Sequence, residues 1–410
     1  MYRKILAENF KKLNWIILKI KNKLKFIIYH LIYFIVKYNF AYRKDENLAD
    51  KKKISFIRLD AIGDYILFRN FIEIIRKSDK YKDYKITLLG NEVWKEIAEE
   101  LDGKFIDNFI WLNRKKFNKN FIYRYRKLKE IVRNGYEIVI NPTYSREFYY
   151  GDSIVKALIA KRKIGSEGDL SNISKRQKLT GDKYYTSLIS VKDGIMFEFY
   201  RNKEFFEGFL GETIDINRPH INIDINKISI TFNLPDKFAT IYIGASQVYR
   251  KWNYANFVEV ALYLKGRLNL DVVICGGEDD ALFGEKIVNN VKDAINLCGK
   301  TSLMDMIYII KNSVLLISNE TFASHVAVAL DIKNIFVISN GNHFGRFVPY
   351  PKEISKNYHV IYHPDIEKNL EDYKKLSNSY GYGSSLDINE ITAESVIKNI
   401  EKNLQTNLFF

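Results

Sequence analysis

From residue 54 onward the chain alternates short apolar, β-rich runs with longer stretches in which apolar side chains recur every three or four positions. The runs at 54–59, 85–90, 137–140, 239–243, 271–275, 314–318 and 334–339 predict strands. The stretches at 65–76, 120–133, 254–268, 303–311 and 322–330 predict helices with one apolar face. Such alternation predicts an α/β architecture of parallel sheets with crossover helices. It lapses between about residues 166 and 235, where Gly, Asp, Asn and Lys break the apolar runs, and then restarts. Two doubly wound halves joined by that stretch would hold a ligand cleft between them, at the carboxyl ends of their strands. The expected division is 1–50, 51–230 and 231–410.

The first of these segments has its own pattern. Leu13, Ile16, Ile17, Ile20, Leu24, Ile27, Ile28, Leu31 and Ile35 share one helical face, with most of the lysines elsewhere. The uncharged run 26–36 is eleven residues, short of the roughly 18–20 needed to cross a bilayer. No small-residue cleavage site follows it, which disfavours a signal peptide. Residues 1–44 hold eleven Lys or Arg against the single acid Glu8, so they carry ten of the fifteen net positive charges. Charge concentrated on one arm, not on the folded body, argues against a nucleic-acid partner. The arm reads as an amphipathic helix lying on an anionic leaflet, with Trp15 and several tyrosines at headgroup depth. Two alternatives stay open: a helix packed on the enzyme's own surface or a partner, and a single span with snorkelling lysines.

At 410 residues and 47% hydrophobic, the chain is too long for one ordinary core and fits two. Cys275 and Cys298, the only cysteines, flank apolar runs and read as small core residues in a reducing compartment.

Three motifs carry the candidate chemistry. In the first, a strand ending at Arg58 leads through Asp60 and Gly63 to Asp64, whose carboxylate would stand near a helix N-terminus and be held as the anion. In the second, a strand leads into Gly244, Ala245, Ser246 and Gln247, then Lys251 and Trp252 before a helix. A glycine turn, hydroxyl and amide donors and a lysine suit a diphosphate. Gly276, Gly277 and Glu278 follow the next strand, with Asp279 and Asp280 beside them. In the third, a strand ends at Asn319, and Glu320, Thr321 and Phe322 open a helix that presents His325 one turn in. The amides there form an anion site. Gly299 to Ser302 imitates the end of a P-loop, but Ala294 stands where that loop needs a glycine. No Asp-x-Asp and no metal-ligand spacing occurs.

In this order and at these separations the motifs resemble glycosyltransferase family 9, the bacterial heptosyltransferases of lipopolysaccharide synthesis. The resemblance runs from about residue 54 to 351 and is strongest in the second half. It implies a GT-B fold, two Rossmann-like domains facing a cleft, and an inverting transfer that needs no metal or other cofactor. Asp64 falls on the family's general base. Asp60 and Gly63 fall on the acceptor side. Ser246, Gln247, Lys251, Glu278, Glu320, Thr321, Phe322 and His325 fall on the donor side. The family has Gly-Lys-Thr-Ser-Leu at the P-loop mimic, where Thr301 or Ser302 would cap the next helix. Two departures, Glu320 for Asp and Phe322 for Gly, bear on the sugar pocket. The implied donor is a nucleotide-diphosphate sugar, ADP-heptose. The implied acceptor is a lipid-linked saccharide at the cytoplasmic face of the inner membrane, reached through residues 1–44. The rival expectations are another sugar for O-antigen, capsule or exopolysaccharide, and an inactive membrane-bound scaffold.

Overall fold

The computed structural model describes residues 15, 23–36, 38 and 52–407; the rest of the N-terminal arm, and with it much of the expected amphipathic stripe, lies outside the described residues. The chain divides into two compact units. One holds the residues up to Leu59, Asp83–Glu92 and Asp107–Ile189; the other holds Asp60–Lys82, Val93–Ile106 and Ser190 onward.

The first unit is built on β1 (Lys53–Arg58), β2 (Lys85–Asn91), β3 (Asn108–Leu112), β4 (Ile138–Asn141), β5 (Arg162–Ser166) and β6 (Ser187–Ile189). The second is built on β7 (Phe238–Tyr242), β8 (Asp271–Cys275), β9 (Ile295–Asn296), β10 (Leu315–Asn319), β11 (Ile335–Ser339) and β12 (Tyr358–Tyr362). Their orders are β3-β2-β1-β4-β5-β6 and β12-β11-β10-β7-β8-β9. Every pairing is parallel. Counted from its own first strand, each sheet has the same winding, the Rossmann order, in which ligands bind where the order reverses. In the second unit that point lies between β7 and β10, which pair from Ala239 with Leu315 to Tyr242 with Ser318.

The helices are α1 (23–36), α2 (Ile62–Phe68), α3 (Asn70–Lys77), α4 (Lys95–Asp102), α5 (Arg114–Lys119), α6 (Phe121–Arg133), α7 (Gly151–Ala157), α8 (Lys175–Asp182), α9 (Glu198–Leu210), α10 (Tyr254–Leu268), α11 (Ala281–Val288), α12 (Leu303–Asn312), α13 (Phe322–Ala329), α14 (Pro364–Glu367), α15 (Tyr373–Tyr380) and α16 (Ala393–Asn407). The expected helix at 65–76 is two, α2 and α3, jointed at Arg69, which keeps helical dihedrals (φ −54°, ψ −37°). The stretch at 166–235 is not a bare connection either. It contains α8, β6 and α9, and α9 buries four phenylalanines. Phe206 of α9 stacks on Phe71 of α3 at 5.1 Å between ring centroids.

One expectation for the arm is corrected. Tyr29 and Tyr33 do not stand at a membrane headgroup. With Ile32 and Val36 they are buried in the core of the first unit, among Leu128, Ile131 and Ile154. Fully burying an apolar side chain contributes roughly 1.5–3 kcal/mol, so this face fastens α1 to the body.

Candidate active site

The first motif from Asp60 onward and the other two motifs converge in the second unit. At the end of β10 the side chain of Asn319, fully enclosed, joins two of them: its Nδ2 donates to Ile243 O (2.7 Å), and its Oδ1 accepts from Trp252 N (3.1 Å). A single amide thus fixes both ends of the segment from Gly244 to Lys251. Trp252 closes the arrangement, its Nε1 donating to Ile391 O at 2.7 Å while the ring packs edge-on to Phe257.

Between those ends the chain makes a short 3-10 turn, Val248–Arg250, which aims two consecutive cations differently. Arg250 donates to the Glu320 carbonyl (2.5 Å), to Glu320 Oε1 (3.0 Å) and to Ser246 Oγ (3.1 Å). Lys251 donates to Asp280 Oδ1 at 2.5 Å. The other oxygen of Asp280 accepts from Gly277 N at 2.9 Å. Asp280 is therefore buried and committed to the lysine, while Glu278 and Asp279 beside it are exposed. Ser246 and Gln247 are exposed, and Thr321 and Phe322 are half-buried. Glu320 is buried, its second oxygen accepting from Ser339 Oγ at 3.1 Å. Burial raises its pKa above the ordinary carboxylate value, against the pull of Arg250.

α13 begins at Phe322 with Thr321 as N-cap, and no side chain occupies that cap. Phe322 meets the ring of Tyr242 edge-on at 5.3 Å. His325, one turn in, is buried, and its Nδ1 lies 2.7 Å from Tyr350 Oη. Burial, with Arg250 adding to it, pushes the imidazole down to about 3, so the ring is neutral at neutral pH.

α2 carries Asp64 in its first turn and packs on α13. The contact requires Gly63, because a Cβ there would come 2.7 Å from His325 Cδ2. The surroundings of α2 hold it firmly. Asp102 accepts from Arg69 Nε (3.0 Å), Arg69 Nη2 (2.7 Å) and Tyr65 Oη (2.6 Å), all in the interior. Burial raises the pKa of Asp102, and Arg69 opposes that shift. Tyr65 stacks on Trp94 at 4.0 Å, and Trp94 Nε1 donates to the backbone oxygen of Asp60 at 3.1 Å. Asp60 and Asp64 are both half-buried.

The P-loop mimic is a helix cap. Ser302 Oγ accepts from Asp305 N at 3.1 Å, and Asp305 Oδ2 accepts from Ser302 N at 2.8 Å. Glu96 of α4 takes the amides of Leu303 (2.9 Å) and Met304 (3.4 Å), so its carboxylate already sits where a phosphate would. Among the described residues, no three of His, Cys, Asp and Glu converge on a metal position.

Arg250 and Asp280 are the residues of this constellation that sequence reasoning did not assign. Arg250 adjoins a singled-out lysine, and nothing in the order of two cations tells which reaches the third motif.

This chain's residues 124–375 match the profile of Glycosyltransferase family 9 (heptosyltransferase). The chain belongs to that family, and it is a glycosyltransferase. It is 23% identical over 366 residues to lipopolysaccharide heptosyltransferase 1 of Campylobacter coli, covering 85% of this chain and 98% of that one. Among solved structures, a family 9 glycosyltransferase from Veillonella parvula aligns with TM-score 0.63 at 21% identity, over 88% of this chain and 98% of its own. The E. coli heptosyltransferase WaaC with ADP aligns with TM-score 0.65 at 13% identity, over 86% and 99%. At these identities the structures establish the shared GT-B fold. Family 9 heptosyltransferases use nucleotide-sugar donors, and their acceptors are saccharides.

Proposed function

We propose that this enzyme transfers heptose from ADP-heptose to a lipid-linked saccharide of lipopolysaccharide or a related surface glycan, with inversion and without a metal. One observation carries the reading: Asp64, mounted on the helix that packs against His325, shares a unit with the cations Arg250 and Lys251 at the mouth of α13. Asp64 takes the proton of the acceptor hydroxyl as that oxygen attacks the anomeric carbon. The bond from that carbon to the diphosphate oxygen breaks, and the electron pair leaves with ADP. Arg250, Lys251, Ser246, Gln247 and the amides at Thr321 receive the growing charge on the diphosphate. Glu278 is a candidate for the nucleoside, and Asp60 for the acceptor.

A second reading is kept because of Phe322. Its ring, set against Tyr242, fills a position that is glycine in the family pattern, next to Glu320 in place of the shorter Asp. Both changes would alter the sugar pocket, which favours another sugar, destined for O-antigen, capsule or exopolysaccharide.

The test is release of nucleoside diphosphate from a panel of ADP-, UDP- and GDP-sugars, with a delipidated acceptor and with EDTA in parallel. Release from ADP-heptose alone, unchanged by EDTA, is the expected result. Release only from a UDP- or GDP-hexose replaces the donor by the second reading, and a need for a divalent cation overturns the metal-free step.

A further inference from the structure

Helix α1 has two apolar faces, and the protein uses one of them. The face of Tyr29, Ile32, Tyr33 and Val36 is buried in the first unit. Its fastening is polar as well as apolar. Tyr29 Oη donates to Asn118 O at 2.7 Å, and Lys25 Nζ donates to Asn118 Oδ1 at 2.6 Å. The guanidinium of Arg124, itself enclosed, lies 3.8 Å from the Tyr29 ring centroid and donates to Tyr33 Oη at 2.6 Å. The helix is thereby held in one rotational setting.

That setting turns Leu24, Ile27, Leu31, Phe34, Ile35 and Tyr38 outward. All six are exposed, Phe34 at 67%. No charged residue occurs between Phe26 and Val36 to cover them. A neighbouring element extends the same character. Phe121 at the start of α6 meets Tyr29 edge-on at 5.9 Å, and Phe121 and Ile122 are both exposed, Ile122 at 65%. Lys115, Lys116 and Lys119 of α5 are exposed beside them, and α5 contacts both α6 and, through Asn118, α1. No acidic residue occurs in 9–44 or in 108–129. Exposed apolar side chains of this extent mark an interaction surface.

The chemistry of its occupant follows from the charge. Exposed apolar and aromatic side chains with exposed lysines beside them, in two stretches of sequence that contain no acid, match an anionic lipid leaflet, into which the side chains insert while the lysines meet headgroups. Among the described residues, no helix is long and apolar enough to cross a membrane. We propose that the outward stripe of α1, together with Phe121, Ile122 and the lysines of α5, forms one docking face for anionic lipid, on which α1 lies flat. The arm alone is therefore not the anchor: the folded body contributes a second contact. The inference does not depend on the identity of the sugar, and its test reads no turnover.

The full-length protein is sedimented with phosphatidylcholine vesicles, with and without phosphatidylglycerol, beside Leu31→Asp/Phe34→Asp, Ile122→Asp and Lys115→Glu/Lys116→Glu/Lys119→Glu. All substituted side chains are exposed, and thermal unfolding checks each fold. Wild type should bind the anionic vesicles only. The α1 pair and Ile122→Asp should each weaken binding by about tenfold or more, since each puts a charge where apolar area would be buried. The α5 triple should weaken it by a comparable factor at low salt and by less at high salt. Wild type that stays in the supernatant, or an Ile122→Asp protein that binds as well as wild type, overturns the composite face. So does a lipid-free dimer of wild type that Leu31→Asp/Phe34→Asp makes monomeric, because a second copy would then be the occupant.

Discussion

The imidazole of His325 rests on the bare Cα of Gly63: a methyl group there would stand 2.7 Å from Cδ2. The two residues belong to motifs more than two hundred and fifty positions apart, and their contact sets the distance between α2 and α13. Gly63→Ala should push the helices apart or twist His325 off its bond to Tyr350, at a cost of about 1–3 kcal/mol. Turnover should fall with Tm. Adding His325→Ala should restore part of the stability, and a double-mutant cycle by denaturant unfolding measures the coupling. Additive losses would mean that the two groups do not meet.

Asp64→Asn keeps the shape and hydrogen-bonding capacity of the side chain but cannot take a proton. Turnover should drop by ~10²- to 10⁴-fold with donor affinity within a few-fold of wild type. Asp60→Asn should instead raise KM for the acceptor more than it lowers kcat. Calorimetry with ADP beside a radiolabelled transfer assay separates the two, and near-normal transfer by the Asp64→Asn protein removes Asp64 from the chemistry.

Arg250→Ala and Lys251→Ala should each weaken ADP binding, since a charge-assisted contact contributes about 1.5–3 kcal/mol. Their effects on stability should differ in a revealing way. Arg250→Ala leaves Glu320 buried without its cation, so Tm should fall as well. Arg250→Ala/Glu320→Gln should recover Tm and leave ADP binding weak. Recovery of both would make the arginine a structural counter-ion only.

Acid should destabilise the protein through its buried imidazoles. His325 is held at about 3 and His343 at about 4, both by burial. The unfolded chain therefore takes up protons first, and the stability these groups contribute is present above their ordinary value of 6.5 and lost as pH falls towards 3 to 4. Glu320, raised, acts in the opposite sense, its contribution being lost as pH climbs past the ordinary 4.5. Between pH 4.5 and 6.5 the two effects therefore act together with opposite signs. His325→Gln/His343→Gln should flatten the decline of Tm below pH 6.5, and an unchanged slope would assign the acid sensitivity to other groups.

What the sequence revealed of the fold follows burial. The strands it predicted are interior ones, such as β10, whose five residues are all enclosed. The four it missed at the margins, β3, β6, β9 and β12, are the edges of the two sheets. An edge strand lacks neighbours on one side and needs no continuous apolar run, and β9 is only two residues long. β5 is interior but reads RKIGS, with Gly165 packed against Tyr185. The helices with a clean apolar period were found almost to the residue, as at Tyr254–Leu268. In the candidate site, Asp64, Lys251 and His325 could be named from motifs. The pairing of Arg250 with Glu320 and of Lys251 with Asp280 could not, because it depends on a three-residue turn. In α1, apolar residues occur on two faces, and spacing alone does not say which of them the body takes.

Those two pairs bear on how donor capture responds to ionic strength. Arg250 and Lys251 each have a carboxylate within the protein, so an incoming diphosphate exchanges partners with groups already close to electroneutral. A pocket of this kind projects little field into solution, and long-range attraction does not raise the encounter rate. Donor association should therefore be nearly indifferent to added salt, whereas the vesicle affinity of the basic docking face should fall steeply with it. One molecule would then carry two anion-binding surfaces, one indifferent to salt and one sensitive to it, and the nucleotide would be admitted by local fit while the membrane is found by charge.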